Sequence, residues 1–209
     1  MDLNKSEYSD FFKRRDRVKI IPVWYPLSSP KFVYKKLDFS GKKILDFGSS
    51  FDSPNVQEAL KKGADYHGFD IDKQTVQWLK EKNYFADFWK SKEKFDIVLV
   101  SQVYEHLSKE QQEALIKRSA QVVRSGGFLV LEYPYLNNLG GNNFWRDRTH
   151  TTPPSLEDEA IFIEKFGFRA ELYVAGISFW GPRNFLRMVF NWLLGFHPQH
   201  NVVIIAQEL

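Results

Sequence analysis

Asp46 and Gly48 lie in the run KKILDFGSSFDSP (residues 42–54), where an apolar strand pattern passes into a turn. Nucleotide-binding turns usually contain two or three glycines that let a diphosphate approach the backbone, and this turn has one. An aspartate at the start of the turn would repel a diphosphate but attract an ammonium or sulfonium group. The turn therefore favours a phosphate-free nucleoside joined to an amino acid. The alternative is that Asp46 only caps the turn through its own backbone.

Two further aspartates follow the next predicted strands. Asp70 closes the strand DYHGFDI, at the position of a carboxylate that accepts hydrogen bonds from both ribose hydroxyls; the alternative is a surface acid at a strand end. Asp87 follows the short run YFADF and could accept a hydrogen bond from an adenine amino group while Phe88 or Phe47 packs on the ring. A plain turn residue explains Asp87 equally well. Asp72 is better explained as a helix cap.

Two histidines follow the carboxyl ends of predicted strands. His106 in YEHL and His150 in RDRTH are candidate general bases, because a neutral imidazole titrates near working pH. For His106 the alternative is a helix-start residue bonded to the backbone. The candidate substrate-binding residues beside His150 are Trp145, Arg146 and Arg148. The two arginines could pair with an anionic substrate, or form a loop salt bridge with Asp147 or Glu132.

The composition excludes several kinds of chemistry. The chain has no cysteine, which excludes disulfides, cysteine zinc sites and thiol nucleophiles. His197 and His200 have no carboxylate near them in sequence, so no metal cluster is expected. A net charge of +3, with acids interspersed, makes nucleic acid an unexpected partner. The first residues lack a signal-peptide pattern and no apolar run is long enough to cross a bilayer, so we expect a cytoplasmic protein.

From Lys42 onward, apolar runs alternate with helical patterns, which is typical of a sheet with crossover helices. The predicted strands are KILDF, DYHGFDI, YFADF, FDIVLVSQV, FLVLEYP, RAELYVAG and NVVIIAQEL. The predicted helix N-caps are Ser53, Asp72, Ser108 and Ser155. This order predicts an α/β fold: a doubly wound, mostly parallel seven-stranded sheet with helices on both faces and an antiparallel C-terminal strand. Ligands bind at the carboxyl ends of the strands in such sheets.

We expect a single domain over residues 1–209. Its predicted parts are a helical or irregular N-terminal cap (1–40), a cofactor-binding core (41–175), an aromatic insertion (176–200) and a final strand (201–209). The insertion GISFWGPRNFLRMVFNWLLGF carries an apolar stripe at helical spacing and includes Trp180, a further substrate-binding candidate. A lid over a hydrophobic substrate, or packing onto the N-terminal segment, is the favoured use. A dimer surface and a shallow membrane contact are the alternatives.

The segments ILDFGSS, GFDID, ADF, FDIVLVSQVYEHL, SGGFLVLEYP and FGF together resemble the class I S-adenosylmethionine-dependent methyltransferases, in particular the small-molecule branch with an LEHL-like segment after strand four. The resemblance implies S-adenosylmethionine as the cofactor. It places Asp46, Gly48 and Ser49 at the methionine portion, Asp70 at the ribose, Asp87 at the adenine, and Ser101 with Gln102 near the reactive methyl group. The full set of expected cofactor-binding residues is Asp46, Phe47, Gly48, Ser49, Ser50, Asp70, Ile71, Asp87, Phe88, Ser101 and Gln102. Ser50 and Asp52 depart from the family, which usually has glycines there.

The resemblance implies methyl transfer to a small-molecule, glycan or lipid-linked acceptor, with oxygen as the expected acceptor atom. SQVY occupies the place where methyltransferases acting on nitrogen in nucleic acids or proteins often have (D/N)PP(Y/F), which argues against adenine-N6 chemistry. Two alternatives stay open. The basic N-terminus would suit an RNA methyltransferase, and the irregular cofactor turn would suit a catalytically silent binding or scaffold protein.

Overall fold

The structure is a computed structural model that describes residues 20–23, 29–51, 53–134, 147–151, 154, 156–176, 186, 189, 193 and 199–209. The strands are β1 (Ile20–Val23), β2 (Lys43–Phe47), β3 (Asp65–Phe69), β4 (Phe95–Ser101), β5 (Val123–Pro134), β6 (Phe168–Gly176) and β7 (Gln199–Glu208). The helices are α1 (Ser29–Lys36), α2 (Pro54–Lys61), α3 (Lys73–Glu81), α4 (Lys109–Val122) and α5 (Leu156–Glu164), with a 3-10 turn at Tyr104–His106.

The seven described strands form one sheet in the order β1-β6-β7-β5-β4-β2-β3. All neighbouring pairs are parallel except those of β7, which is antiparallel to both β5 and β6. The predicted doubly wound sheet with an antiparallel C-terminal strand is therefore confirmed. The chain passes outward from β2 to β3 and then in the opposite direction from β4 to β5, so the order reverses between β2 and β4. Ligands bind in the crevice outside the strand ends at such a reversal.

Helices cover both faces of the sheet, as predicted. Ile44 and Ile97 belong to a core layer that includes residues of α1, α2 and α3. Leu45 and Val98 belong to the other layer, with residues of α4 and α5. This alternation along β2 and β4 buries both faces, which accounts for the almost wholly apolar sequence FDIVLV of β4.

The segments that form the two edge strands of the sheet differ from the prediction. The expected strand YFADF is reduced to a single parallel bridge between Gly68 and Phe85. Asp87 then closes a turn by accepting the backbone N–H groups of Trp89 and Lys90, which ends the extended pairing. The seventh strand is β1, which comes from the segment predicted as a cap. It contains Pro22, whose missing N–H is tolerated because β1 lies at an edge.

Three of the four predicted helix caps are confirmed. The side chains of Ser53, Asp72 and Ser108 accept backbone N–H groups at the starts of α2, α3 and α4, and Ser108 forms the expected capping box with Gln111. Ser155 lies outside the described residues, as do Trp145, Arg146, Trp180 and most of the predicted insertion. In the part of the chain that the structure describes, no helix combines the length and apolarity needed to cross a membrane.

Candidate active site

Asp46 lies near the carboxyl end of β2, beside the reversal in strand order, and only 2% of its surface is exposed. Its Oδ2 accepts a hydrogen bond from the Tyr66 hydroxyl at 2.9 Å, and the Tyr66 oxygen lies 2.7 Å from Ser49 Oγ. Burial raises the pKa of Asp46 to about 7; the bond from Tyr66 opposes the rise, and the carboxylates of Asp70 and Glu132 add to it. A negative charge at Asp46 is therefore costly, and a cation bound beside it would stabilise that charge.

The turn after β2 is closed by its own backbone. The N–H groups of Gly48 and Ser49 donate to the carbonyl oxygen of Phe69, at 2.8 and 3.1 Å. Gly48 has φ +81°, and a Cβ at this position would lie 2.2 Å from Cγ2 of Val103, which follows β4. Glycine is therefore required for both the backbone conformation and the contact across the crevice. With these two N–H groups already bonded, the turn does not present them to a phosphate.

The structure separates the two aspartates that follow β3. Asp72 is confirmed as the cap of α3, because its Oδ2 accepts bonds from both the N–H and the hydroxyl of Thr75. Asp70 accepts the N–H of Asp72 through Oδ1 and is only half-buried. Its charge acts on Asp46. Between them, Ile71 is 90% exposed, so an apolar side chain projects into solvent beside the predicted ribose carboxylate.

The aromatic residues predicted to pack on adenine require a correction. Phe88 is fully buried and Phe47 is nearly so; their ring centroids are 4.9 Å apart in the aromatic part of the core. Neither ring is available as a stacking surface. The exposed aromatic side chain at this place is Trp89, which is 43% exposed and packs edge-on against Phe88. Asp87 accepts two backbone N–H groups in the same turn, as its alternative interpretation predicted.

Glu132 lies near the end of β5, where it is buried and pairs with Ser101 of β4. Its carboxylate accepts bonds from Ser101 Oγ at 2.8 Å and from Asn201 Nδ2 at 3.1 Å, and its carbonyl oxygen accepts the N–H of Gln102. Gln102 has φ +54°, a left-handed conformation that is costly for a residue with a side chain. From sequence, Glu132 is predicted only as a partner for an arginine. Its position as a charged residue within the apolar strand FLVLEYP is the signal for this further role.

The two candidate histidines are neighbours in space. The ring centroids of His106 and His150 lie 4.6 Å apart in a T-shaped contact. The loop at residues 147–151 is attached to the turn after β4, because the N–H and hydroxyl of Thr151 donate to the carbonyl oxygens of Glu105 and Leu107. Glu105 is 1% exposed, and burial, with Glu132 and Asp147 adding to it, raises its pKa to about 7.

A chain of hydrogen bonds fixes the tautomer of the neutral His106 ring. Thr149 Oγ1 donates its proton to Asp147 Oδ1 at 2.6 Å and lies 2.9 Å from His106 Nδ1. Since a hydroxyl has one proton, Thr149 must accept the bond from Nδ1–H of the imidazole. The neutral ring therefore carries its lone pair on Nε2. Asp147 uses its carboxylate in this chain and lies 3.8 Å from His150 Nε2, while Arg148 is exposed.

Glu105, His106 and His150 each offer one metal-ligating atom, and these atoms all lie within 4.8 Å of one another. The sequence predicts no metal cluster, because His197 and His200 have no carboxylate near them. His197 lies outside the described residues, and only the backbone of His200, in β7, is described. The three residues come from two loops that are distant in sequence. Only the attachment of residues 147–151 to the end of β4 brings them together.

Comparisons with known proteins agree on the fold. A family model described as a methyltransferase domain matches residues 27–173. The chain is similar to a solved S-adenosylmethionine-dependent methyltransferase from Archaeoglobus fulgidus (21% identity, TM-score 0.66), over 96% of this chain and 100% of that one. It is also similar to magnesium protoporphyrin IX methyltransferase from Synechocystis with bound S-adenosylhomocysteine (14%, TM-score 0.60; 100% and 90%). No curated protein matches it significantly.

Proposed function

The chain belongs to the class I S-adenosylmethionine-dependent methyltransferases, and on this premise we propose that it transfers a methyl group from S-adenosylmethionine to a hydroxyl of a small, glycan or lipid-linked acceptor. The observation that carries the proposal is the buried carboxyl of Asp46 at the reversal in strand order. Its raised pKa means that its charge needs a cation. S-adenosylmethionine supplies an ammonium and a sulfonium group, whereas a dinucleotide would bring negative charge.

We place the cofactor along the carboxyl ends of β2, β3 and β4, where such sheets bind ligands. We place its amino-acid portion beside Asp46 and Gly48 and its ribose at Asp70. The adenine then lies near Asp87, where the exposed side chains of Ile71 and Trp89 offer apolar surface. Two features support a ligand without phosphates. The Gly48 and Ser49 N–H groups are bonded to Phe69, and the side chain of Ser53 caps the start of α2.

The acceptor is placed beyond β4, next to Ser101 and Gln102. The cluster of Glu105, His106 and His150 follows directly, and we propose that the acceptor hydroxyl loses its proton there. The oxygen then attacks the methyl carbon in line, the carbon–sulfur bond breaks with its electron pair going to sulfur, and S-adenosylhomocysteine leaves. Since the sulfonium already activates the methyl carbon, positioning of the two substrates contributes much of the rate enhancement.

Calorimetric titration with S-adenosylmethionine tests the proposal. Asp70→Ala should weaken binding by about 1 to 3 kcal/mol, the usual loss when hydrogen bonds to a charged group are removed. Asp72→Ala is the matched control: it removes the carboxylate two residues away, which caps α3, so it should lower stability and leave the affinity unchanged. Equal affinities for wild type and Asp70→Ala would show that the ribose lies elsewhere. No binding to the wild type at millimolar cofactor would favour a scaffold protein.

A further inference from the structure

Glu105, His106 and His150 form a set of donors that metal sites use. Two imidazoles and one carboxylate bind catalytic zinc and non-haem iron in many enzymes, and they leave further coordination positions open. Glu105 Oε1 lies 4.0 Å from His106 Nε2, and one donor atom from each of the three residues falls within 4.8 Å of the others. We propose that these three residues bind one divalent transition-metal ion, of which Zn²⁺ is the representative case.

The first independent observation is the state of the Glu105 side chain. It is 1% exposed, and its Oε2 has no hydrogen-bond partner among the described residues. A buried polar atom without a partner costs free energy, more so when the group is charged. A cation at this position would supply the missing interaction and would hold the carboxyl in its charged form.

The second observation is the support around His106. Its Nδ1–H donates to Thr149 Oγ1, which donates to Asp147, so Nε2 presents a lone pair toward Glu105 and His150. Histidines that bind metals usually donate their other ring N–H to an outer carboxylate, carbonyl or hydroxyl, which fixes the tautomer and the ring orientation. Thr149 and Asp147 therefore act as positioning residues for His106. Asp147 Oδ2 also lies 3.8 Å from His150 Nε2.

The spacing of the donors requires only a small contraction. Bonds of about 2.0 to 2.2 Å to the ion place neighbouring donor atoms about 3 to 4 Å apart. The donor atoms now lie within 4.8 Å of one another, so binding requires the His106 and His150 rings to rotate toward the buried Glu105. Imidazole ligands favour Zn²⁺ and similar first-row ions over Mg²⁺ and Ca²⁺, which prefer all-oxygen sites.

The role of the ion rests on the proposed function. An open coordination position would hold the acceptor hydroxyl, and coordination would lower its pKa so that the proton leaves to solvent. The deprotonated acceptor oxygen would then attack the methyl carbon as described above. The acceptor class narrows to hydroxyl compounds whose oxygen can reach the ion and the methyl group together.

Titration of the EDTA-treated protein with Co²⁺ tests the site, because Co²⁺ bound by nitrogen and oxygen ligands gives visible d–d absorption. We expect one equivalent to bind, Zn²⁺ to displace it and Mg²⁺ not to. Glu105→Gln and His150→Gln should each abolish the absorption. His67→Gln is the matched control, since His67 pairs with Asp65 on β3 and should leave Co²⁺ binding unchanged. Thr149→Val should weaken binding by about 10- to 100-fold through loss of the support for His106.

A measurement on the wild type keeps the test valid if a variant fails to fold. Paramagnetic Co²⁺ should broaden the NMR ring signals of His106 and His150 and leave that of His67, on β3, sharp. Absent binding, equal competition by Mg²⁺, or absorption that persists in a folded Glu105→Gln protein would overturn the proposal. S-adenosylmethionine is titrated into the same metal-free sample. Cofactor binding without Co²⁺ binding refutes the metal site alone, whereas Co²⁺ binding without cofactor binding refutes the proposed function alone.

Discussion

Replacing Asp46 with asparagine should make the protein more stable and its cofactor binding weaker. The substitution keeps an oxygen that can accept the bond from the Tyr66 hydroxyl, but it removes the carboxyl whose ionised form is disfavoured by burial. A residue retained at a cost in stability is expected where the charge serves a ligand. The substitution therefore measures separately how much the buried charge lowers stability and how much it raises the affinity for the cofactor.

The size of the effect follows from the pKa of Asp46. The carboxyl titrates at about 7 in the folded chain instead of 3.8, and at about 1.4 kcal/mol per pKa unit this difference corresponds to about 4 kcal/mol. Below its ordinary pKa the group is protonated in both the folded and the unfolded chain, so it adds no penalty. The folded state then loses stability as the pH rises from about 4 to 7, and the full penalty applies above that range. Since local relaxation recovers part of it, we expect Asp46→Asn to gain about 2 to 4 kcal/mol above pH 7 and little near pH 4.

Urea unfolding near pH 4.5 and near pH 8.5 measures this gain, and calorimetry measures the affinity for S-adenosylmethionine. The affinity should fall by about 1.5 to 3 kcal/mol, as for a lost interaction with a charged group. Asp38→Asn is the control, because Asp38 is exposed and accepts only the N–H of Ser40 among its described bonds. It should change neither quantity. A gain in stability that is the same at both pH values, or an unchanged affinity, would refute the reasoning about Asp46.

Two further substitutions probe the same turn. Gly48→Ala should lower the free energy of unfolding in urea by about 2 to 4 kcal/mol, because φ is +81° and the new Cβ would lie 2.2 Å from Val103. Gly63→Ala is the control: φ is +72° there but the surrounding space is open, so the loss should be only about 1 kcal/mol. In the double variant with Val103→Ala, the smaller side chain should restore part of the stability that Gly48→Ala removes. If the losses of the two single variants simply added, the contact between residues 48 and 103 would be contradicted. Tyr66→Phe removes the bond that lowers the pKa of Asp46, so that pKa should rise above 7 and cofactor affinity at pH 7 should fall about tenfold. Near pH 9 the Asp46 carboxyl of this variant should be ionised again, so calorimetry should show the affinity largely restored. An equal loss of affinity at pH 7 and pH 9 would show that the raised pKa of Asp46 is not the cause.

The parts of the fold that sequence predicted are those encoded locally. The apolar run FDIVLV, the caps at Ser53, Asp72 and Ser108, and the turn at Gly48 each carry their own signal, and together they fix the order of strands and helices. The edges of the sheet carry weaker signals. Residues 20–23 and the segment around Phe85 have similar apolar content, and only pairing with a neighbouring strand decides which becomes a strand.

The sequence identified individual residues of the site but not the contacts between them. His106 and His150 were recognised separately, but their contact depends on bonds from Thr151 to the turn after β4, which no spacing in the sequence reveals. Trp89 is exposed and Phe88 is buried because of the turn that Asp87 forms, and the sequence does not specify the geometry of that turn. Burial of Glu105 results from the same long-range packing, and the sequence shows only an acidic residue in YEHL.

A crystal structure with S-adenosylhomocysteine bound tests the proposed cofactor site most directly. We expect the ribose hydroxyls within about 3 Å of the Asp70 carboxylate and the amino-acid portion beside Asp46 and Gly48, at the carboxyl ends of β2 and β3. Density for the nucleoside at another edge of the sheet, or Asp70 turned away from a bound ribose, would contradict it.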